Sequence, residues 1–280
     1  MKQHKPDASG RPRNDDRAVS EVVAFVLVFA IILGSVGILY STGFQAMDDY
    51  QENEQLVNAE RAMDALADNF NDVIRYSGIN QRYGELSLRD GAVRSSDSGT
   101  NLDILIEKRG ENKSINHTDR DKANFSQYYT TGETLDLGKF AYTSDGDRIA
   151  YEGGGLVRGD DSEEWSLVRK QPQIVCSDDR EAAVISLVTI SADDRSVQSS
   201  SGLGVTMSVE SRSSAVYTDE VDSVSIAIDE GDTAYDDAWD SILDTEGSWT
   251  DTADESDQIK RTCSDLERVV VTIVEVDLEY

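Results

Sequence analysis

Two histidines and two cysteines are all the imidazole and thiol chemistry this chain holds: His4, His117, Cys176 and Cys263. His4 lies in a polar N-terminal tail, and His117 sits in the middle of an Asn-x-Thr sequence. A catalytic base must be held and aimed by its neighbours, so neither position suits a Ser-His-Asp or Cys-His device. Two cysteines without a nearby histidine do not make a zinc centre. In an oxidising compartment Cys176 and Cys263 would close a long loop as a disulfide, worth about 3–5 kcal/mol by chain entropy; the other reading is two free buried thiols. Carboxylates are abundant, 55 Asp and Glu against 26 Lys and Arg. A glycoside hydrolase needs two of them at a set separation across a cleft, and in so acidic a chain the sequence nominates no pair. The segment from Asp229 to Asp257 is dense in acids but lacks the Asp-x-Asp-x-Asp-Gly spacing of a calcium loop, and reads as a solvated surface. Gly153-Gly154-Gly155 is followed by no Gly-Lys-Ser/Thr and reads as a hairpin turn. No catalytic residue, metal ligand or cofactor is therefore assigned, and an enzyme is not expected.

The remaining chemistry is modification. Asn112-Lys-Ser, Asn116-His-Thr and Asn124-Phe-Ser are three glycosylation acceptors between residues 112 and 126. A sequon is usable only on a translocated surface loop, so these residues matter only if the region lies outside the cell. Val22 to Tyr40 (VVAFVLVFAIILGSVGILY) decides that point. It carries no charge, and as a helix rising ~1.5 Å per residue it matches the thickness of a bilayer's hydrocarbon core. Before it come Lys2, Lys5, Arg11, Arg13 and Arg17; after it come Asp48, Asp49, Glu52 and Glu54. Basic flanks stay inside, so the expected topology is a single-pass cell-membrane protein with a cytoplasmic N-terminus and an extracellular C-terminal domain. A net charge of −29 excludes nucleic acid as a partner, because a phosphate-binding face needs concentrated Lys and Arg. Only eight of the basic residues are lysine, and acids are spread over the whole outer part, a pattern that suits a halophilic protein in a strongly screening medium.

The junction before the apolar run is not that of an ordinary secretory signal, which has a shorter apolar core and a small-residue cleavage site after it. Here a small residue, Ala18, precedes the core, and a carboxylate, Glu21, stands just inside it. The stretch Asp16-Arg17-Ala18-Val19-Ser20-Glu21-Val22-Val23 resembles the N-termini of haloarchaeal type IV pilin-like proteins. The resemblance covers the first ~60 residues. It implies a prepilin peptidase that cuts between Ala18 and Val19 on the cytoplasmic side, and an apolar helix able to assemble with other pilin-like subunits. Bacterial pilins carry their carboxylate fifth in the mature chain, whereas Glu21 would be third. Pairing of Glu21 with a neighbouring subunit's amino terminus and placement at headgroup level both stay open.

The positioning elements follow from periodicity. Leu56, Ala59, Met63, Leu66, Phe70 and Val73 recur at alternating spacings of 3 and 4, with acids on the other faces, up to Ser77-Gly78. That is an amphipathic helix continuing the span, packed on the protein's own sheet or, alternatively, on another chain. From Gly84 the period becomes two, with expected strands at 85–89, 102–108, 134–142, 147–151, 155–158, 165–170, 181–191, 204–211, 221–228 and 268–278. Asp236 to Leu243 reads as one short helix, and the apolar VVVTIVEVDL run as a central strand. The expected fold is α+β: a long N-terminal helix packed on a mainly antiparallel, sandwich-like head. Its parts are a leader at 1–18, a span at 19–42, an amphipathic continuation at 43–78 and a β-rich extracellular domain at 79–280. Gly34, Ser35 and Gly37 give the span a small-residue face. The functional expectation is a pilin-like surface protein, a minor pilin or surface-complex subunit, in contact with membrane lipid. The alternatives are an uncleaved, membrane-anchored binding module that does not polymerise and, behind it, an extracellular hydrolase.

Overall fold

A computed structural model describes residues 15–87, 91–117, 123–129, 134–160, 162, 165–198, 202–218, 220–229, 231–244, 248–253 and 258–280, with the backbone alone at 15–19, 44–46, 48–53, 87 and 117. The tail up to residue 14, the end of the expected strand at 85–89 and parts of the acidic segment 229–257 lie outside these residues. The chain forms two compact units, Met1–Glu54 and Gln55–Tyr280.

Helix α1 (Asp15–Arg75) is followed by β1 (Gln81–Ser87), β2 (Ala92–Ser96), β3 (Asn101–Lys108), β4 (Glu111–Ser114), β5 (Leu135–Asp136), β6 (Lys139–Ser144), β7 (Asp147–Glu152), β8 (Gly155–Asp160) and β9 (Ser166–Lys170). Then come β10 (Gln173–Ser177), β11 (Ala182–Ile190), β12 (Arg195–Gln198), β13 (Gly202–Tyr217), β14 (Val221–Ile228), α2 (Asp236–Leu243), β15 (Thr250–Asp251), β16 (Ile259–Ser264) and β17 (Arg268–Glu279). Among the described residues they make three sheets, ordered β1-β13-β17-β11-β10, β12-β2-β6-β7-β8-β9 and β15-β16-β14-β3-β4, with β5 paired to β3. All pairings among the described residues are antiparallel except β11 with β17, whose strands run parallel from Ala182–Arg268 to Ile190–Val276. The fold is α+β, with the apolar helix at the N-terminal end and a mostly antiparallel β body.

The first sheet has a core on each face, and the two cores are staggered along its strands. On β17, Val269, Val271 and Ile273 enter one core; Val274, Val276 and Leu278 enter the other. On β11, Ala183, Ile185 and Leu187 enter the first, and Val188 and Ile190 the second. A strand buried on both faces reads as a continuous apolar run rather than an alternation, which is why VVVTIV is so apolar. Strand β13 manages the same change differently. Its register shifts between Val209 and Ser211, so Val205, Met207 and Val209 pack in the second core while Ala215 and Tyr217, also odd-numbered, pack in the first. A one-residue bulge moves every later side chain to the opposite face.

The C-terminal part of α1 belongs to the second unit. Leu56, Ala59, Met63, Leu66, Phe70 and Val73 are all buried there, against Phe140, Tyr142, Ile149 and Tyr151 of the second sheet. Phe70 meets Phe140 and Tyr151 edge-on at 6.4 and 5.6 Å. Ion pairs flank the stripe: Arg169 to Glu60 at 2.9 Å, and Lys170 to Asp64 and Asp68 at 2.6 and 3.0 Å. Burial opposes the Lys170 charge, but the bonds from the two aspartates outweigh it and raise the pKa.

The structure divides the expected strand at 134–142 into β5 and β6, because Leu137-Gly138 turns there with Gly138 at φ 58°. A Cβ on Gly138 would lie 2.3 Å from the Ile190 carbonyl oxygen, so both backbone and space require glycine. Gly153 (φ 61°) and Gly154 (φ 91°) make the β7–β8 hairpin turn.

Candidate functional site

Within Ser20–Gly43 the most apolar 18-residue window has a mean hydropathy of 3.0, and none of it is buried within the protein. Its large apolar side chains, from Val22 to Tyr40, are 52–71% exposed. By length and composition this helix can cross a membrane. Its polar atoms suit an apolar surrounding too. Ser35 donates to the Ile32 carbonyl at 2.9 Å, Ser41 to Ile38 at 3.0 Å and Thr42 to Ile38 at 2.9 Å. Each hydroxyl is thus satisfied by its own helix, which is what a backbone surrounded by hydrocarbon demands. Added Cβ atoms on Gly34 and Gly37 would meet nothing within 4 Å, so this face is open. Ala18 and Val19 lie within the first turns of α1, and Glu21 is exposed one residue into the apolar segment.

The acceptor asparagines occupy unlike places. Asn112 is exposed on β4, a strand at the edge of its sheet. Asn124 is exposed too, and its carboxamide oxygen accepts from the Ser126 backbone N–H at 3.1 Å and from the Ser126 hydroxyl at 2.6 Å, so the two polar ends of that sequon already meet. Asn116 is half-buried in a short 3-10 turn, with its carboxamide oxygen enclosed. Asn112 and Asn124 are thus open to solvent, and the Asn116 carboxamide oxygen is not. Cys176 on β10 and Cys263 on β16 are joined by a disulfide across 87 residues, tying the edge of the first sheet to the third.

One buried carboxyl is a residue that sequence reasoning missed. Glu152 ends β7 and is 1% exposed. Its Oε1 accepts from the Thr100 hydroxyl and from the Trp239 indole N–H, each at 2.7 Å. Thr100 is in turn 2.7 Å from the Thr233 hydroxyl, whose oxygen accepts from the Tyr235 N–H at 3.1 Å. Glu152 Oε2 is buried without a hydrogen-bond partner among the described residues. Burial pushes the Glu152 pKa up, and the bonds from Thr100 and Trp239 only partly oppose it. The group ties hairpin β7–β8 to helix α2. On the other side of the same hairpin, Asn71 of α1 donates to the Gly154 carbonyl at 2.8 Å and accepts from the Tyr151 hydroxyl at 2.9 Å. These hydrogen bonds brace the body. The sequence signal was slight: an acid closing the apolar run IAY before a glycine turn.

No curated protein matches the chain. Among solved structures, the crystal structure of the ywiB protein from Bacillus subtilis is similar at 13% identity over 50% of this chain and 79% of that one, with a TM-score of 0.09, a likeness that carries no argument. The family of unknown function DUF7289 matches residues 17–279, taking in both the apolar helix and the β body. The chain belongs to that family.

Proposed function

We propose that this chain is a single-span, pilin-like cell-surface protein, held in the membrane by its N-terminal helix and displaying the β body outside, with assembly through helix contacts between subunits. One observation carries the reading. Past Glu21, the helix Ser20–Gly43 is apolar on every face, and none of it is covered by the protein itself. Leaving that area in water costs roughly 25 cal/mol per Å², so lipid or other apolar helices must cover it. The junction residues support processing: Ala18 and Val19 precede the apolar segment, and the family match begins at Arg17, beside them. The exposed Asn112 and Asn124, together with the disulfide, agree with an oxidising exterior.

The test is intact mass and N-terminal sequencing of protein extracted from its native membrane. A mature chain starting at Val19 is expected. A chain that retains residues 1–18 would replace the assembling subunit with a permanently anchored binding module. Recovery of the unprocessed chain in the soluble fraction would overturn the anchor itself.

A further inference from the structure

The staggering of the two cores leaves half of one face of the first sheet bare. On β17 Val269, Val271 and Ile273 enter the first core, so Val270 and Thr272 point the opposite way, on the face that Val274 and Val276 bury in the second core. The second core stops at Val274 and Val188. Beyond them, register sets one valine from each of four strands side by side: Val216 pairs with Val270, Val270 with Val184 and Val184 with Val175. The outer two are 48% and 49% exposed, and the inner two are half-buried.

The rows on either side are polar. Ser214, Thr272, Ser186 and Gln173 lie toward the second core, the first two hydroxyls 2.9 Å apart; Arg268, Ala182 and Ser177 lie on the other flank. No acid stands in any of the three rows, in a chain with 55 of them. The opposite face of β17 carries Glu275, Asp277 and Glu279. The Cys176–Cys263 disulfide pins β10, the strand at the end of the valine row, to the third sheet.

We propose that a second copy of this chain packs on this face, sheet against sheet and valine row against valine row. The inference rests on the proposed assembly through the helices and names the contact made outside the membrane. Two chains of net charge −29 repel wherever their acids meet, so a face without acids is where they can approach. A twofold axis lying in the interface, along the row or along the strands, sets valine opposite valine, which makes the row complementary to itself. Strand spacing and rise give the three rows an area of about 400 Å² per copy. A stable complex of free partners buries about 800 Å² per partner. The contact is therefore too small to hold free copies together, and sufficient between copies whose helices share one membrane and raise the effective concentration.

The experiment places the full-length protein in lipid vesicles and joins copies through Val270→Cys with a short bismaleimide, at low and at molar salt. Energy transfer between copies labelled on an added C-terminal tag reports assembly by any contact, and thermal unfolding shows that every variant folds. A cross-linked dimer is expected, in higher yield at molar salt, where the repulsion between acids is screened. Adding Val216→Glu should lower that yield several-fold, whereas Val57→Glu, at a similarly exposed valine on α1, should leave it unchanged. Energy transfer without cross-linking would overturn this contact, leave helix assembly standing and give the face to a different partner. Absence of both signals would overturn the assembly and the contact together. A yield that falls at molar salt, or that Val216→Glu leaves intact, would overturn an apolar interface.

Discussion

From Val22 to Gly43, helix α1 is apolar all round and uncovered, whereas from Leu56 to Val73 its apolar residues fall on one stripe and that stripe is buried. The two stretches share a secondary structure and differ in what surrounds them. A folded β body can cover only one side of a helix, so the covered stretch keeps Glu60, Asp64 and Asp68 on its other faces, where Arg169 and Lys170 meet them. An all-round apolar helix needs an all-round apolar medium, which the body cannot supply. The contrast teaches that periodicity reports the symmetry of the environment, not only the presence of a helix.

Substitutions of similar kind in the two stretches should separate their roles. Phe70→Ala removes a fully buried ring that meets Phe140 and Tyr151, and should destabilise the body by about 3–5 kcal/mol. Thermal unfolding of the membrane-extracted chain would show it as a drop of roughly 10 °C, with membrane partitioning unaltered. Leu33→Arg should do the reverse. A charge at the centre of a span costs roughly 2.5–3.5 kcal/mol of insertion. The membrane-resistant fraction after alkaline extraction should fall while the unfolding temperature of the body stays put. If Leu33→Arg left the chain fully membrane-bound, the contrast between the two stretches would break.

The smallest effect probes the body alone. Glu152 keeps its proton more tightly folded than unfolded, so the native state binds more protons as pH rises above the ordinary carboxyl value of 4.5. Stability therefore declines from that pH upward, until the folded carboxyl itself ionises. Glu152→Gln keeps an acceptor for Thr100 and Trp239 and removes the titration. It should flatten that slope and leave the variant more stable at neutral pH by about 1–3 kcal/mol, the scale of one buried polar mismatch. Urea unfolding at a series of pH values measures both curves.

Much of this architecture was readable from local pattern. The stripe from Leu56 to Val73 is the buried stripe, residues 236–243 are α2, and the apolar run at the C-terminus is the middle strand of its sheet. What escaped were β2, β4, β10, β12, β15 and β16, strands at or beside sheet edges. Edge strands are short and polar because one side of their backbone faces solvent, and they lack the alternation that marks a half-buried strand. The bulge in β13 was equally hidden: expected at 204–211, the strand runs on to Tyr217 because one extra residue at Glu210 lets it serve both cores.

The sequence by itself determined whatever depends on neighbours within a few positions: the apolar helix, the amphipathic stripe, the glycine turn at 153–154 and the acidic surface. Local chemistry sets these, since a helix repeats every 3.6 residues and a turn needs a permissive backbone at a fixed site. Only the tertiary structure decided which distant groups meet. Thr100, Glu152 and the neighbouring pair Thr233 and Trp239 come from three distant parts of the sequence and form one buried network. Val175, Val184, Val216 and Val270 stand in one row for the same reason. Strand register and a single bulge, set by packing two cores against one sheet, bring them together, and no local spacing records that.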